Sequence, residues 1–339
     1  MVFEPKRVIF EPDALNYPLG EKLYRYFQER GVEISRTSSH NRVTSIPGRT
    51  RPEAYAEAKR TLVVGVRRTK KFETCRPSAH FQLPLATSCP GKCQYCYLLT
   101  NMGNKPYVRI YVNTGEILEA AAAYIEKRKP EITVFEGAAT SDPVPTEPYT
   151  GILESAIRFF AGQEYGRFRF VTKFTDVDTL LDVPHHGHTR IRFSINTPEV
   201  IRRYEHATPS LAERLAAAGK VAASGYPLGF LIAPIIAGEG WRESYRELFR
   251  AAAAELSGAV PDLTLEFITH RFTKRAKSAI LEVFPNTRLD LDEEYRTFKY
   301  GQFGHGKYVY TKELLGEIKE HFYSLAAAYF PGAHIEYLV

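Results

Sequence analysis

Three of the four cysteines crowd into Cys89-Pro90-Gly91-Lys92-Cys93-Gln94-Tyr95-Cys96, at spacings of four and three residues. So tight a run makes a poor disulfide framework, because neighbouring bridges need separations that a short loop does not supply. One loop can instead wrap one metal centre in a reducing compartment. Iron–sulfur clusters normally take four thiolates, so three from a compact loop leave one iron open to an outside ligand, and an open iron is a place for chemistry. The competing reading is structural zinc, which needs four protein ligands and would recruit Cys75 or His80.

Such a loop must be held by the elements around it. From about Thr87 onward, short β-branched or aromatic runs alternate with helical patterns. Strands are expected near Gln82 to Leu85 and over Ile132 to Glu136, Arg169 to Phe174, Ile191 to Ile195, Leu228 to Ile236 and Leu263 to Ile268. Helices are expected over Ile117 to Arg128, Thr150 to Phe160, Pro198 to Arg203, Leu211 to Ala223 and Trp241 to Leu256. This alternation makes βαβ units with a parallel sheet, and six units are fewer than the eight of a closed barrel. The expected fold is therefore α/β, a partial (β/α)6 TIM-type barrel over residues 79–280. Residues 1–78 read as a small N-terminal α/β extension, with a strand at Arg7 to Phe10, a helix from Leu19 to Glu29 and a strand at Thr61 to Val66. Residues 281–339 read as a C-terminal hairpin and helix extension, because Tyr300 to Tyr310 alternates aromatic, glycine and basic residues. Parallel βα folds build their sites at the carboxyl ends of strands. That points to Gly137-Ala138-Ala139-Thr140-Ser141-Asp142, Lys173, Ser194-Ile195-Asn196, Ala233-Pro234 and Thr269-His270-Arg271.

With 339 residues, 44% hydrophobic and 25% charged, the chain has an ordinary globular composition, which excludes collagenous, low-complexity and wholly disordered classes. The apolar stretch from Leu228 to Ala237 is interrupted by Pro234 and far shorter than the roughly 20 residues a membrane helix needs. A cytoplasmic protein with no membrane partner is expected. The formal net charge is +6, but it is unevenly spread. From Arg42 to Lys71, nine Lys or Arg face two acids, and His270 to Lys277 carries Arg271, Lys274, Arg275 and Lys277 with no acid. Clusters of this kind are electrostatic footprints for phosphate.

The cysteine loop, with an aromatic residue just before its last cysteine, resembles the signature of the radical S-adenosylmethionine superfamily. The flanking words Ala86 to Leu98, Phe135-Glu136-Gly137-Ala138-Ala139-Thr140-Ser141-Asp142 and Phe193-Ser194-Ile195-Asn196 are similar to the spore photoproduct lyase family, and the likeness runs along nearly the whole chain. The resemblance implies a DNA repair lyase that reverses 5-thyminyl-5,6-dihydrothymine to two thymines through a 5′-deoxyadenosyl radical. It implies that Cys89, Cys93 and Cys96 hold a [4Fe-4S] cluster whose open iron chelates S-adenosylmethionine. Lys173 and Ser194 would contact the carboxylate or ribose of that cofactor, with Ser141, Tyr97 and Ala233 also beside it, and Tyr95 and Tyr97 would hand the radical back. It further implies double-stranded DNA containing the lesion as substrate, a small electron-donor protein, a monomer, and a spore or germinating cell as its place of action.

One position departs from the family pattern. Where that pattern has a cysteine before Thr-Ser-Asp, the hydrogen donor to the thymine radical, this chain has Ala139. A methyl group cannot supply that hydrogen, so impaired repair is expected. Either the chain is an engineered variant, which the intact surrounding words favour, or another donor serves. Cys75 could act only if folding brings it into the pocket. A lesion inside a duplex has to be flipped out. Arg271, Lys274, Arg275 and Lys277 are expected to hold phosphates, and His305, Lys307 and Tyr308 of the hairpin to contact, wedge or stack on DNA. Two rivals are a radical enzyme acting on a peptide or small metabolite, which would bring further cysteine clusters, and a zinc-stabilised nucleic-acid-binding module.

Overall fold

The computed structural model describes residues 2–103, 105–256, 260–300 and 306–339. The chain forms two compact units, one of residues 1–91 with 101–191 and one of residues 92–100 with 192–339. In the first, Glu33–Arg36, Arg7–Phe10, Thr61–Gly65 and Val108–Tyr111 lie side by side as parallel strands, with Ala86–Thr87 antiparallel at the edge. Val8, Ile9 and Phe10 are fully buried, as are Leu62, Val63 and Val64, the continuous apolar runs of parallel strands covered on both faces. The flanking helix Arg51–Ala58 starts at a capping box, in which Thr50 and Glu53 satisfy each other's backbone N–H groups. The N-terminal α/β piece thus draws two strands from beyond residue 78. Val108–Tyr111 gives little local signal in four residues, and its ladder with Leu62 to Gly65 is what makes it a strand.

A second sheet has the order His334–Leu338, Thr264–Thr269, Leu228–Ile235, Thr189–Ile195, Gly166–Thr172, Thr133–Glu136, Ala79–Gln82, Thr74–Cys75. The chain passes from the first unit to the second inside Thr189–Ile195. Its six strands from Ala79–Gln82 to Thr264–Thr269 follow in sequence order with intervening helices, the expected open (β/α)6 arrangement. Among the described residues both end strands have a single neighbour, so the sheet is open there. The strand His334–Leu338 was not anticipated; it adds in parallel to Thr264–Thr269. Gly137, at the end of Thr133–Glu136, is required by packing, because a Cβ there would come within 2.7 Å of the Phe168 ring. In the C-terminal part, Thr297–Tyr300 and Gly306–Val309 pair antiparallel, as the expected hairpin.

Candidate active site

In the first unit, the entry to the cysteine loop is bound to the loop after Thr133–Glu136. Ser88 N–H donates to the Thr140 carbonyl at 2.7 Å, and Ser88 bridges Ser141 in parallel fashion. Ser88 is fully buried with φ +62°, a left-handed conformation that a non-glycine residue holds only where its surroundings over-determine it. Three bonds do so. Its hydroxyl donates to Pro106 O at 2.8 Å and accepts from the buried Lys59 ammonium at 3.2 Å, which also donates to Cys89 O at 2.8 Å. Cys89 therefore emerges beside Ala139 to Ser141, which are half-buried between the buried Ala138 and Asp142.

Asp142 ties that loop to the next strand end. Its carboxylate accepts from the Thr172 hydroxyl at 2.9 Å, Lys173 N–H at 2.9 Å and Val144 N–H at 3.3 Å. Burial nonetheless pushes its pKa up to about 6, the hydrogen bonds opposing only in part. Cys75, half-buried, lies on the edge strand Thr74–Cys75. Three residues on, the Ser78 hydroxyl donates to Glu136 at 2.9 Å, Glu136 accepts Ala138 N–H at 3.1 Å, and Arg169 donates to Ser78 O at 3.0 Å. His80 Nδ1 accepts Val134 N–H at 3.0 Å and is occupied.

In the second unit, the remaining two thiols sit on a turn closed by Cys96 N–H to Cys93 O at 3.3 Å. Lys92–Cys93 pairs antiparallel with Glu205–His206. Below it runs a buried chain of charge. The Tyr95 hydroxyl donates to Glu205, whose other oxygen meets Arg214 at 2.6 Å, both ion-pair side chains having no exposed surface. Arg214 also donates to Ser194 O and Pro209 O at 3.0 Å and to the Thr208 hydroxyl at 2.8 Å. Burial, reinforced by Glu205, holds the Tyr95 phenol well above its ordinary pKa, so it stays a donor. Gln94 anchors the same turn through Arg203 O and the His206 ring. Tyr97 is 53% exposed. Ser194 is buried, and the neighbouring Asn196 donates to Pro234 O at 2.8 Å, linking that strand end to Ala233 and Pro234.

The basic run and the hairpin form one surface of this unit. Phe272 and Tyr308 exchange backbone hydrogen bonds at 3.1 and 2.7 Å, and their rings stack at 5.4 Å. Lys274, Arg275 and Lys277 occupy the first turn of the helix Lys274–Val283, without an acid among them. Lys274 and Arg275 are exposed, whereas Lys277 pairs with Glu293 at 3.1 Å. Burial holds Arg271 below its usual range. His305 lies outside the described residues.

The structure thus joins Cys89, Ala139, Ser141 and Lys173 within one unit, and Cys93, Tyr95, Cys96 and Ser194 within the other. Among the described residues no group of three or more His, Cys, Asp or Glu stands in a geometry that could hold a metal ion. The fit of an iron–sulfur cluster rests on the donor set: three thiols, none in a disulfide, on one eight-residue loop. Sequence reading gives Asp142, Ser88 and Lys59 no anchoring role, although Ser88 lies in the flanking word and Lys59 in the basic run, and it does not single out Glu205 or Arg214. No spacing marks these residues, whose meaning lies in burial and in partners far along the chain.

The family model for spore photoproduct lyase matches residues 3–339. The chain is 52% identical to the spore photoproduct lyase of Clostridium acetobutylicum over 334 residues, 98% of each chain. It is 50% identical to that of Bacillus subtilis over 336 residues, 99% of this chain and 98% of the relative. A solved spore photoproduct lyase with one cysteine replaced by alanine and one serine by cysteine, with bound AdoMet and dinucleoside spore photoproduct, matches at 52% identity and TM-score 0.97 over all of both chains. Another, complexed with dinucleoside spore photoproduct, matches at 51% identity and TM-score 0.97 over all of both chains.

Proposed function

The chain belongs to the spore photoproduct lyase family, and on that premise we propose that it reverses the spore photoproduct in DNA to two thymines, with Cys75 supplying the hydrogen that Ala139 cannot. Cys89, Cys93 and Cys96 are the residues that would hold the [4Fe-4S] cluster. When bound, cluster and S-adenosylmethionine together supply a 5′-deoxyadenosyl radical that abstracts hydrogen from the lesion. The protein's part is to seat, orient and shield. Lys173 offers a point charge to a cofactor carboxylate and Ser194 a short hydroxyl, with Ser141, Tyr97 and Ala233 as further cofactor contacts. Arg271, Lys274, Arg275, Lys307 and Tyr308 are proposed to contact double-stranded DNA. A small electron-donor protein, a monomeric state and action in the cytoplasm of a spore or germinating cell complete the reading; no helix of the described residues is long and apolar enough to cross a membrane.

The observation that carries the reading is the hydrogen-bonded seam from Ser88 through Thr140 to Asp142 and Lys173, which puts the first cysteine, the Ala139 loop and a strand-end lysine side by side. The bridge from Ser78 through Glu136 to Ala138 N–H supports Cys75 as donor, since it ties the turn after Cys75 to the residue before Ala139. After scission of the methylene bridge, the Cys75 S–H would pass its hydrogen atom to the thymine radical, leaving a thiyl radical for Tyr95 or Tyr97 to relay. With that donor, no engineered change at 139 has to be invoked. The solved relative that exchanges a cysteine for alanine and a serine for cysteine carries the same two residue types. The test is anaerobic incubation of reduced protein with S-adenosylmethionine and a defined lesion, reading thymine and 5′-deoxyadenosine. Cys75→Ala should lower the thymine yield and raise 5′-deoxyadenosine per repair, and adding Ala139→Cys should restore both. Unchanged yield and cofactor turnover in Cys75→Ala would remove Cys75 from the reaction.

A further inference from the structure

The cysteine turn has an outer face to which the contacts above give no role. In the two-residue ladder of Lys92–Cys93 with Glu205–His206, Cys93 stands opposite Glu205 and Lys92 opposite His206. Directly opposed residues share a face and successive residues alternate, so the ladder has two unlike sides. Cys93 and Glu205 are buried on the inner side, whereas on the outer side Lys92 is half-buried and His206 exposed. The outer side is basic. Arg202, exposed near the end of the helix Pro198–Tyr204, lines one open cleft of about 320 Å³ together with His206. Two bonds bring the exposed Arg288 to the same turn: its carbonyl accepts the Tyr204 hydroxyl at 3.1 Å, and the preceding Thr287 hydroxyl donates to Gln94. Among the described residues neither Arg202 nor Arg288 has a carboxylate partner. The carboxylates close to them in the chain are engaged elsewhere. Glu199 pairs with Arg203 at 2.8 Å, Glu205 with Arg214 at 2.6 Å and Asp290 with Arg296 at 2.9 Å, while Glu213 caps its own helix through Ser210.

We propose that Lys92, Arg202, His206 and Arg288 form the docking face for an acidic electron-donor protein. This deepens the repair reading and rests on it, since that reading needs one electron to reach the cysteine-held centre from outside the chain. Geometry favours this occupant over DNA. Cys93 lies on the buried side of the strand whose other side carries Lys92, so a donor seated there stands one strand's thickness from a metal-holding thiol. Carboxylates on the donor would pair with the two unneutralised guanidinium groups, which steers encounter and fixes orientation more than it adds affinity. The transfer is of a single electron, lost by the donor protein and gained by the cluster, and no bond of this chain breaks.

The test is the double variant Arg202→Glu with Arg288→Glu, titrated anaerobically as the cluster-loaded protein with an acidic flavodoxin across salt concentrations. At low salt the variant should bind flavodoxin weaker by about tenfold or more, and the difference should close toward 1 M salt, where screening acts within about 3 Å. Cluster reduction by reduced flavodoxin should slow by a similar factor. Reduction by dithionite, a small ion that needs no docking face, should not change. Arg202→Gln with Arg288→Gln, which puts no acid at the helix end, should show the same loss at smaller size. Wild-type flavodoxin affinity in both variants overturns the docking face. So does a variant that keeps flavodoxin but loses lesion-containing duplex, because the face would then be a nucleic-acid contact. Dithionite-driven thymine formation by the wild type separates the two claims. If thymine forms while the variants bind flavodoxin as the wild type does, the docking face is wrong and the repair reading stands. If none forms, the repair reading fails and the proposal falls with it.

Discussion

Glu205→Gln tests whether the buried chain beneath the cysteine turn is as consequential as its geometry implies. Neither Glu205 nor Arg214 has exposed side-chain surface, and the other partners of Arg214, the carbonyls of Ser194 and Pro209 and the Thr208 hydroxyl, carry no charge. The amide is isosteric and still accepts from Tyr95, so no cavity opens; what is lost is compensation of a buried guanidinium. Removing one partner of a buried pair costs about 3–5 kcal/mol. At roughly 2–4 °C per kcal/mol for a large domain, the melting temperature should fall by about 6–20 °C. Tyr95→Phe removes one hydrogen bond to a charged group and should cost about 1.5–3 kcal/mol. Glu205→Leu with Arg214→Met removes both charges and should recover most of the loss. Denaturant unfolding measures all three, and anaerobic iron content per chain shows whether the turn still presents Cys93 and Cys96. A Glu205→Gln protein within about 1 kcal/mol of wild type would refute the reasoning.

Two further outcomes follow from the site. Replacing any one of Cys89, Cys93 or Cys96 by Ala should abolish iron–sulfur charge-transfer absorbance and cofactor cleavage, whereas Cys75→Ala should keep the iron; loss of metal in Cys75→Ala would favour a four-ligand zinc site. Glu147, buried at the start of the short helix Glu147–Thr150, accepts Leu153 N–H at 2.7 Å and Glu154 N–H at 2.9 Å; burial raises it to about 7, as it raises Asp142 to about 6, so the folded state holds these protons more tightly than the unfolded chain. Their contribution to stability is therefore full below about pH 4 and falls as pH rises, through about 6 for Asp142 and 7 for Glu147, by about 3 kcal/mol each. Urea unfolding of Glu147→Gln across pH 4 to 8 should show a shallower decline than wild type, and an identical pH profile would count against the raised carboxyl.

The cysteine spacing, the six strand–helix alternations and the hairpin were legible in the sequence because each is a local pattern: thiols within eight residues, a side-chain period, turn-forming glycines. The residues that organise the site were not. No local pattern marks Glu205 or Arg214, and only tertiary packing strips both of water and sets them under Tyr95. Asp142 stood in a strand-end run to which the sequence pointed, but only a strand 30 residues on supplies the Thr172 hydroxyl and Lys173 N–H that its carboxylate accepts. Lys299 and Lys307 are eight apart in a run that alternates aromatic, glycine and basic residues, and ladder register alone makes them face each other. The physical reason is the same throughout. Spacing along a chain constrains local backbone and nearby ligands, whereas desolvation and long-range pairing depend on which strands become neighbours, and that is decided by burial of the whole core.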